Sequence, residues 1–242
     1  MSLLFRPGSG STCVQTLRWP GGWARIAPWM QHAEIAQLTV AAGAPPDAPA
    51  IERCLAAMRA GAYEAVVTSA LSPAHSLAFV DAGFAVRERL HLLAHDLDDV
   101  PRVAWGTRRA RRSDRDAIVA LDAHAFHGFW RFDEDALTQA VQATPVARVR
   151  VTTGGNTRIS GYAVTGRAGD HGYLQRVAVH PEARQRGFGR ALVIDALRWL
   201  RRRAAKRALV NTQLDNTAAI SLYESCGFHR LPAGLCVLGR AL

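Results

Sequence analysis

Arg184-Gln185-Arg186-Gly187-Phe188-Gly189 has the form R-x-x-G-x-G and lies between an apolar, strand-like run at 173–179 and a helical run beginning near Arg190. A glycine-bearing turn leading into a helix N-terminus offers several unpaired backbone N–H groups to an anion, and the helix dipole adds to the attraction. The stretch therefore reads as a pyrophosphate cradle on a strand, loop and helix unit. The commoner phosphate loops, G-x-x-x-x-G-K-[ST] and G-x-G-x-x-G, are absent from it. Its spacing alone fits a plain glycine-rich surface turn equally well.

The composition around this stretch describes a packed chain. Of 242 residues, 49% are hydrophobic and 21% charged, which suits one large or two small globular domains. No run approaches the roughly 18 to 20 apolar residues of a membrane span. The start, Met1-Ser2-Leu3-Leu4-Phe5-Arg6-Pro7, lacks the long apolar segment of a signal peptide. A soluble, cytoplasmic protein is expected, as a monomer or a homodimer. Cys13, Cys54, Cys226 and Cys236 show no C-x-x-C spacing, so reduced, mostly buried thiols are expected, with no metal site and no disulfide framework. The net charge of +10 points to anionic partners, carried almost wholly by arginine, since Lys206 is the only lysine. The clusters at 108–112 and 201–207 lack interleaved aromatic residues or a recognition-helix motif, so nucleic acid is not the expected partner. The second cluster reads as the solvated end of a helix.

An acidic, proline-bearing stretch, Asp98-Asp99-Val100-Pro101-Arg102, separates two runs of mixed strand and helix. Two lobes follow, 1–98 and 106–242, with a linker at 99–105. In the second lobe, Ser113-Asp114 caps a helix running to about Phe126, and Asp133 opens another ending near Ala143. Strands are expected at 147–152, 159–165 and 173–179, with a turn at Thr153-Gly154-Gly155-Asn156 between the first two. After the loop come a helix to about Arg203, a strand at 208–212, a short helix at 217–225 and a strand at 235–238. Residues 63–84 of the first lobe align without gaps on 207–228, matching Gly83-Phe84 to Gly227-Phe228. Residues 35–40 are then the counterpart of the strand ending at Val179. The first lobe's loop, Ala41-Ala42-Gly43-Ala44-Pro45-Pro46, has no arginine, and its prolines carry no N–H, so it is a poor anion cradle. Trp19 and Trp23 flank Pro20-Gly21-Gly22, a tight turn.

Downstream of the loop, Asn216-Thr217-Ala218-Ala219-Ile220-Ser221-Leu222-Tyr223-Glu224-Ser225-Cys226-Gly227-Phe228 supplies a second motif. Together with 174–192 it resembles the GNAT superfamily of acyl-coenzyme A dependent N-acetyltransferases. The pattern of that superfamily is an apolar strand, [QR]-x-x-G-x-[GA], a helix, a strand, and N-x-x-A-x-x-x-Y-x-x-x-G-F. The likeness covers about residues 105 to 242. It implies an α/β fold with a central mixed, mostly antiparallel sheet flanked by helices, and the first lobe becomes a smaller, truncated and degenerate GNAT-like lobe without the phosphate loop. It also implies acetyl-CoA as cofactor, bound where the strand before the loop splays from the next strand. On this mapping Val177, Ala178 and Val179 line the pantetheine, and an N–H there stabilises the oxyanion of the tetrahedral intermediate. Backbone N–H groups of Gln185, Arg186, Gly187, Phe188, Gly189 and Arg190 take the pyrophosphate, and Arg184, Arg186 and Arg190 add charge in a geometry suited to phosphate. Asn216 and Ala219 complete the cofactor set.

Tyr223 matches the family's general acid for the departing thiolate, a role for a phenol of reference pKa about 10 against about 8.5 for a thiol. Phe79 stands at the equivalent position of the first lobe, and Ser72 replaces Asn216. The bland reading of Tyr223 is a packing aromatic. Within the superfamily the second lobe looks most like the ribosomal-protein alanine N-acetyltransferases, which carry a glutamate on the strand before the asparagine. Asn211 stands there instead and cannot be a base; it can orient a water, leaving Glu182, His180, His171 or His127 to accept the amine proton. Phe126-His127-Gly128-Phe129-Trp130-Arg131-Phe132 reads either as an acceptor wall or as a hydrophobic hinge. The expected acceptor is a primary amine, a protein or peptide N-terminus or else a small amine as in mycothiol synthase, itself a tandem GNAT. A non-catalytic acyl-CoA-binding module is the reading of a different class.

Overall fold

The computed structural model describes residues 14–42, 44–101, 106–126, 128–154 and 158–242. These form two compact units, Met1–Val86 with Val237–Leu242, and Arg87–Cys236. The boundary read at 99–105 differs from this division. Leu97 and Val100 are buried in the core of the second unit, so apolar side chains hold the proline-bearing stretch there, while Arg102 to Trp105 lie outside the described residues.

In the first unit, β1 (Gln15–Trp19) and β2 (Gly22–Trp29) form a hairpin about the tight turn expected at Pro20-Gly21-Gly22, with Gly21 at φ +84° supplying the left-handed conformation the turn requires. β2 runs antiparallel to β3 (His32–Ala42), and the chain crosses through α1 (Ala48–Ala60) to β4 (Ala65–Thr68), parallel to β3. Asp47 caps α1, and Ile51, Leu55 and Met58 form its buried stripe. α2 (Pro73–Asp81) follows β4, and residues 239–241 of the last strand pair with β4.

The second unit carries β5 (Ala85–His95, mostly within it), β6 (Arg108–Arg109), α3 (Arg115–Ala125), α4 (Glu134–Gln142), β7 (Val146–Thr153), β8 (Ile159–Ala168) and β9 (His171–Val179). It continues with α5 (Phe188–Arg202), β10 (Arg207–Gln213), α6 (Thr217–Ser225), β11 (His229–Arg230) and the start of β12 (Leu235–Ala241). The strand order is β5-β10-β9-β8-β7-β6, antiparallel except for β9 and β10. This is the expected mixed sheet. α5 and α6 pack on one face with Leu93, Leu174 and Val210, whereas α3 and α4 pack on the other with Val151, Tyr162, Val164 and Ala178. Arg201 and Arg202 are exposed in the last turn of α5, the helix-end role expected for that cluster.

Two local features hold this unit together. Gly172 lies under α5, and a Cβ there would land inside the side chain of buried Leu200. Gly172→Ala is expected to lose about 1–3 kcal/mol by overpacking, read from urea unfolding. Arg108 donates to both carboxylate oxygens of Asp114 at 2.6 and 2.9 Å, and the Arg111 N–H donates to it at 2.6 Å. The Arg108 hydrogen bonds above all hold the Asp114 carboxyl down at about 2. A depressed carboxyl stabilises the fold fully above its unfolded value of about 3.9, and that contribution is lost as pH falls toward 2. Acid titration of stability should therefore show a loss between about pH 4 and pH 2 that Asp114→Asn reduces.

Cys54 and Cys226 are buried free thiols and Cys236 is half-buried and free; Cys13 lies outside the described residues. Among the described residues no helix is long and apolar enough to cross a membrane, and no group of metal-ligating side chains occurs.

Candidate active site

β9 and β10 pair only at His171–Tyr173 with Arg207–Leu209, although β9 continues to Val179 and β10 to Gln213. Asn211, Thr212 and Gln213 instead pair with β5 on their other side. Two parallel neighbours thus separate toward their C-terminal ends, and the edge of β9 from Leu174 onward has no strand partner on the β10 side among the described residues. On its other edge β9 pairs with β8, with a bulge at Gln175. The His180 N–H donates to the Ser160 carbonyl on the β8 side, so strand alternation turns the peptide groups of Val177 and Val179 toward the opening. Alternation turns those of Ala178 toward β8, which corrects the expectation that all three residues line the opening with backbone groups.

Beyond Val179 the chain makes a 3-10 turn, Pro181–Ala183, and reaches α5 through Gly187, its N-cap, at φ +85°. The helix starts at Phe188, two residues earlier than expected, because the left-handed glycine turns the chain directly onto the helix axis. The Gln185, Arg186, Gly187, Gly189 and Arg190 N–H groups have no acceptor among the described residues, and they sit at the positive end of a 15-residue helix. A glycine turn with N–H groups free at a helix start is the local geometry the sequence reading expects. A Cβ on Gly189 would stand 3.1 Å from Leu222 and 3.6 Å from Val179, so the first turn of α5 meets both α6 and the end of β9 at that point. Arg184 and Arg186 are exposed beside the loop. Arg190 differs: its guanidinium donates to the Ser225 carbonyl at 2.6 Å and ties α5 to the end of α6.

Asn216 caps α6, its side-chain oxygen accepting from the Ala219 N–H at 3.2 Å. That bond accounts for both residues structurally. Tyr223, one turn on, is buried against Phe228 at 5.7 Å between ring centroids, and its hydroxyl has no hydrogen-bond partner among the described residues. Burial pushes its phenol well above the ordinary value, with the Arg176 charge acting in the opposite direction. It therefore stays protonated, a state that fits a donor and excludes a base.

The four base candidates separate. His171 is exposed at the far end of β9, roughly 26 Å along the strand from Val179 at about 3.3 Å per residue, so it takes no part in the site. His127 lies outside the described residues. His180 is mostly buried, its ring 5.2 Å from that of His124, and Glu182 is exposed beside it. Both line a cavity of about 330 Å³ with Gly154, Arg158, Ser160 and Arg186, which does not include Tyr223. Asn211 is exposed on the sheet face opposite buried Val210.

The same motif recurs in the first unit. Ser72 caps α2 as Asn216 caps α6, and Phe79 is buried as Tyr223 is. Gly83 and Gly227 take φ of +81° and +96°, and the Phe84 and Phe228 N–H groups donate back to Phe79 and Tyr223 at 3.0 and 3.1 Å. However, β4 stays paired with β3 to its last residue, Thr68, and the Ser69 N–H donates to Leu38, while β3 continues to Ala42. The two strands therefore do not both run on past their last pair as β9 and β10 do.

Sequence reasoning missed a buried cluster on the α3 side of β9. The Asp122 carboxylate accepts from Tyr162 Oη at 2.5 Å, from Arg176 Nε and Nη2 at 2.8 Å each, and from the Phe132 N–H at 2.7 Å. A lone arginine inside the apolar run 173–179 was the available signal.

A family model described as Acetyltransferase (GNAT) family matches residues 92–228. Mycothiol acetyltransferase of Thermobispora bispora is 33% identical over 129 residues, 48% of this chain and 43% of that protein. The [ribosomal protein bS18]-alanine N-acetyltransferase of Escherichia coli K12 is 34% identical over 74 residues, 31% of this chain and 50% of that protein. The chain thus spans half or less of the length of these curated relatives. A solved tandem GNAT protein from the clavulanic acid biosynthesis pathway superposes with a TM-score of 0.64 at 14% identity, covering 91% of this chain and 79% of that one, a likeness of fold.

Proposed function

The chain belongs to the acetyltransferase (GNAT) family, and on that premise we propose that its second unit moves the acetyl group of acetyl-CoA to a primary amine at the opening between β9 and β10. The observation that carries this reading is the coincidence of three features at one end of β9. An unpaired strand edge and five N–H groups with no acceptor among the described residues lie there, and α6, which carries the protonated Tyr223, reaches the same point through Leu222.

The residues suit an acyl-CoA. The N–H groups of Gln185, Arg186, Gly187, Gly189 and Arg190, with Phe188 in the same turn, hold the pyrophosphate, and Arg184 and Arg186 add positive charge. The outward peptide groups of Val177 and Val179 hold the pantetheine arm as an added strand would. Acetyl-CoA, the co-substrate of GNAT acetyltransferases, supplies an activated thioester. Tyr223 donates a proton to the leaving sulfur. Its high proton affinity makes that donation uphill, and the Arg176 charge lowers the slope. The amine must arrive neutral; His180 or Glu182, beside the end of β9, accepts its proton, directly or through a water held by Asn211.

The acceptor we favour is a protein or peptide N-terminal amine, like that named for the bS18-alanine relative. A small-molecule amine is the second reading, favoured by the longer stretch shared with the mycothiol acetyltransferase. The first unit is read as a GNAT-like repeat that lacks the phosphate loop and serves packing or acceptor recognition.

Release of free thiol from acetyl-CoA against a panel of peptide N-termini and small amines separates these readings. Saturable release with one class identifies the acceptor. Release with no amine above buffer hydrolysis leaves an acyl-CoA-binding module and overturns the transferase reading.

A further inference from the structure

Asp122 is wholly buried, and the Arg176 side chain nearly so. Arg176 forks onto Asp122 and gives a further bond at 2.7 Å to the Trp130 carbonyl. Its guanidinium lies 3.4 Å from the Phe126 ring centre and 4.0 Å from that of Phe132. A buried ion pair usually contributes little stability beyond what well-packed apolar side chains of the same volume would give, because desolvation offsets the attraction. What this pair does fix is geometry. Every remaining bond of the cluster ends on the segment that joins α3 to α4 or on β8.

The placement of Arg176 depends on the bulge at Gln175. Leu174 faces the α5 core, and regular alternation would put residue 176 on the same face; the extra residue sends Arg176 to α3 instead. Arg176 then immediately precedes Val177, whose peptide groups face the opening. The segment that carries Trp130 and Phe132 is therefore anchored to the residue next to the proposed reaction centre. Gly128, at φ +38°, begins the 3-10 turn that brings the Trp130 carbonyl to the guanidinium.

We propose that Asp122 and Arg176 form a clamp that holds residues 128–132 against the α3 face of β9, at the residue before Val177, and thereby positions the acceptor amine. This rests on the acetyltransfer reading. Arg176 and Asp122 are positioning residues for the acceptor, acting through the segment they hold; the Arg176 charge bears on Tyr223 separately and would change kcat, so the acceptor KM is the readout of the clamp. The bound acyl-CoA is held by different groups, so the clamp governs the acceptor and leaves the cofactor alone.

The test uses the full chain with Asp122→Leu, Tyr162→Phe and Arg176→Met together, which removes the pair without leaving a buried charge or hydroxyl unpartnered. The KM for the best acceptor should rise about 10-fold or more, while the KM for acetyl-CoA stays within about 2-fold. Amide exchange over residues 128–132 should speed up about 10-fold or more, while that of α5 stays unchanged. An unchanged acceptor KM in the folded variant overturns the clamp's role in positioning. Unchanged exchange over 128–132 overturns the clamp itself, even if the wild-type chain acetylates no amine, an outcome that removes the transferase reading separately. If the triple variant loses its cooperative unfolding transition, Arg176→Lys carries the same test, because it keeps the charge but loses the fork and the ring stacking.

Discussion

Gly187→Glu is expected to abolish the rise in melting temperature that acetyl-CoA gives the wild-type chain. At a ligand concentration 100 times Kd, binding to the folded state adds about 2.7 kcal/mol, or roughly 5–10 °C for a chain of this size. Gly187 sits at φ +85° between the loop and α5. An L side chain there costs about 1–2 kcal/mol in backbone strain and disturbs the aim of the N–H groups on either side. The carboxylate adds repulsion where phosphate binds. The mutant should melt somewhat below wild type and show no shift with ligand. Gly187→Ala isolates the strain and should keep part of the shift. A full shift in Gly187→Glu would remove the loop from the cofactor site.

The second large effect is on turnover. Tyr223→Phe should lower kcat by about 10² to 10⁴-fold with little change in the KM for acetyl-CoA, the pattern of a lost proton donor. The fold should be almost unaffected, since the hydroxyl has no hydrogen-bond partner among the described residues and the first unit packs Phe79 at the matching place. Equal melting temperatures with a large loss of kcat are the expected pair of results. Turnover within about 2-fold of wild type would leave Tyr223 as a packing aromatic.

Local signals carried far along this chain. Helix 217–225 is found where expected because Asn216 is a strong cap and its hydrogen bond is local. The repeat of that unit at 73–81 is equally local, down to the left-handed glycine after each helix. The early start of α5 depends on the conformation of Gly187, which residue type permits and does not dictate. What the sequence could not convey is register. The separation of β9 from β10, the bulge at Gln175 and the reach of Arg176 to Asp122, 54 residues away, each arise from how strands pair at a distance. The same limit explains His171. It is close to the loop in sequence, yet an extended strand carries it to the opposite end of the sheet.

Only β9 and β10, and not β3 and β4, both run on past their last pair, and only the loop before α5 carries the glycine and arginines of the proposed cradle, so one acyl-CoA site per chain is expected. Calorimetric titration with acetyl-CoA measures it directly. The account predicts one site per chain, lost in Gly187→Glu; no binding, or two sites per chain, would contradict it.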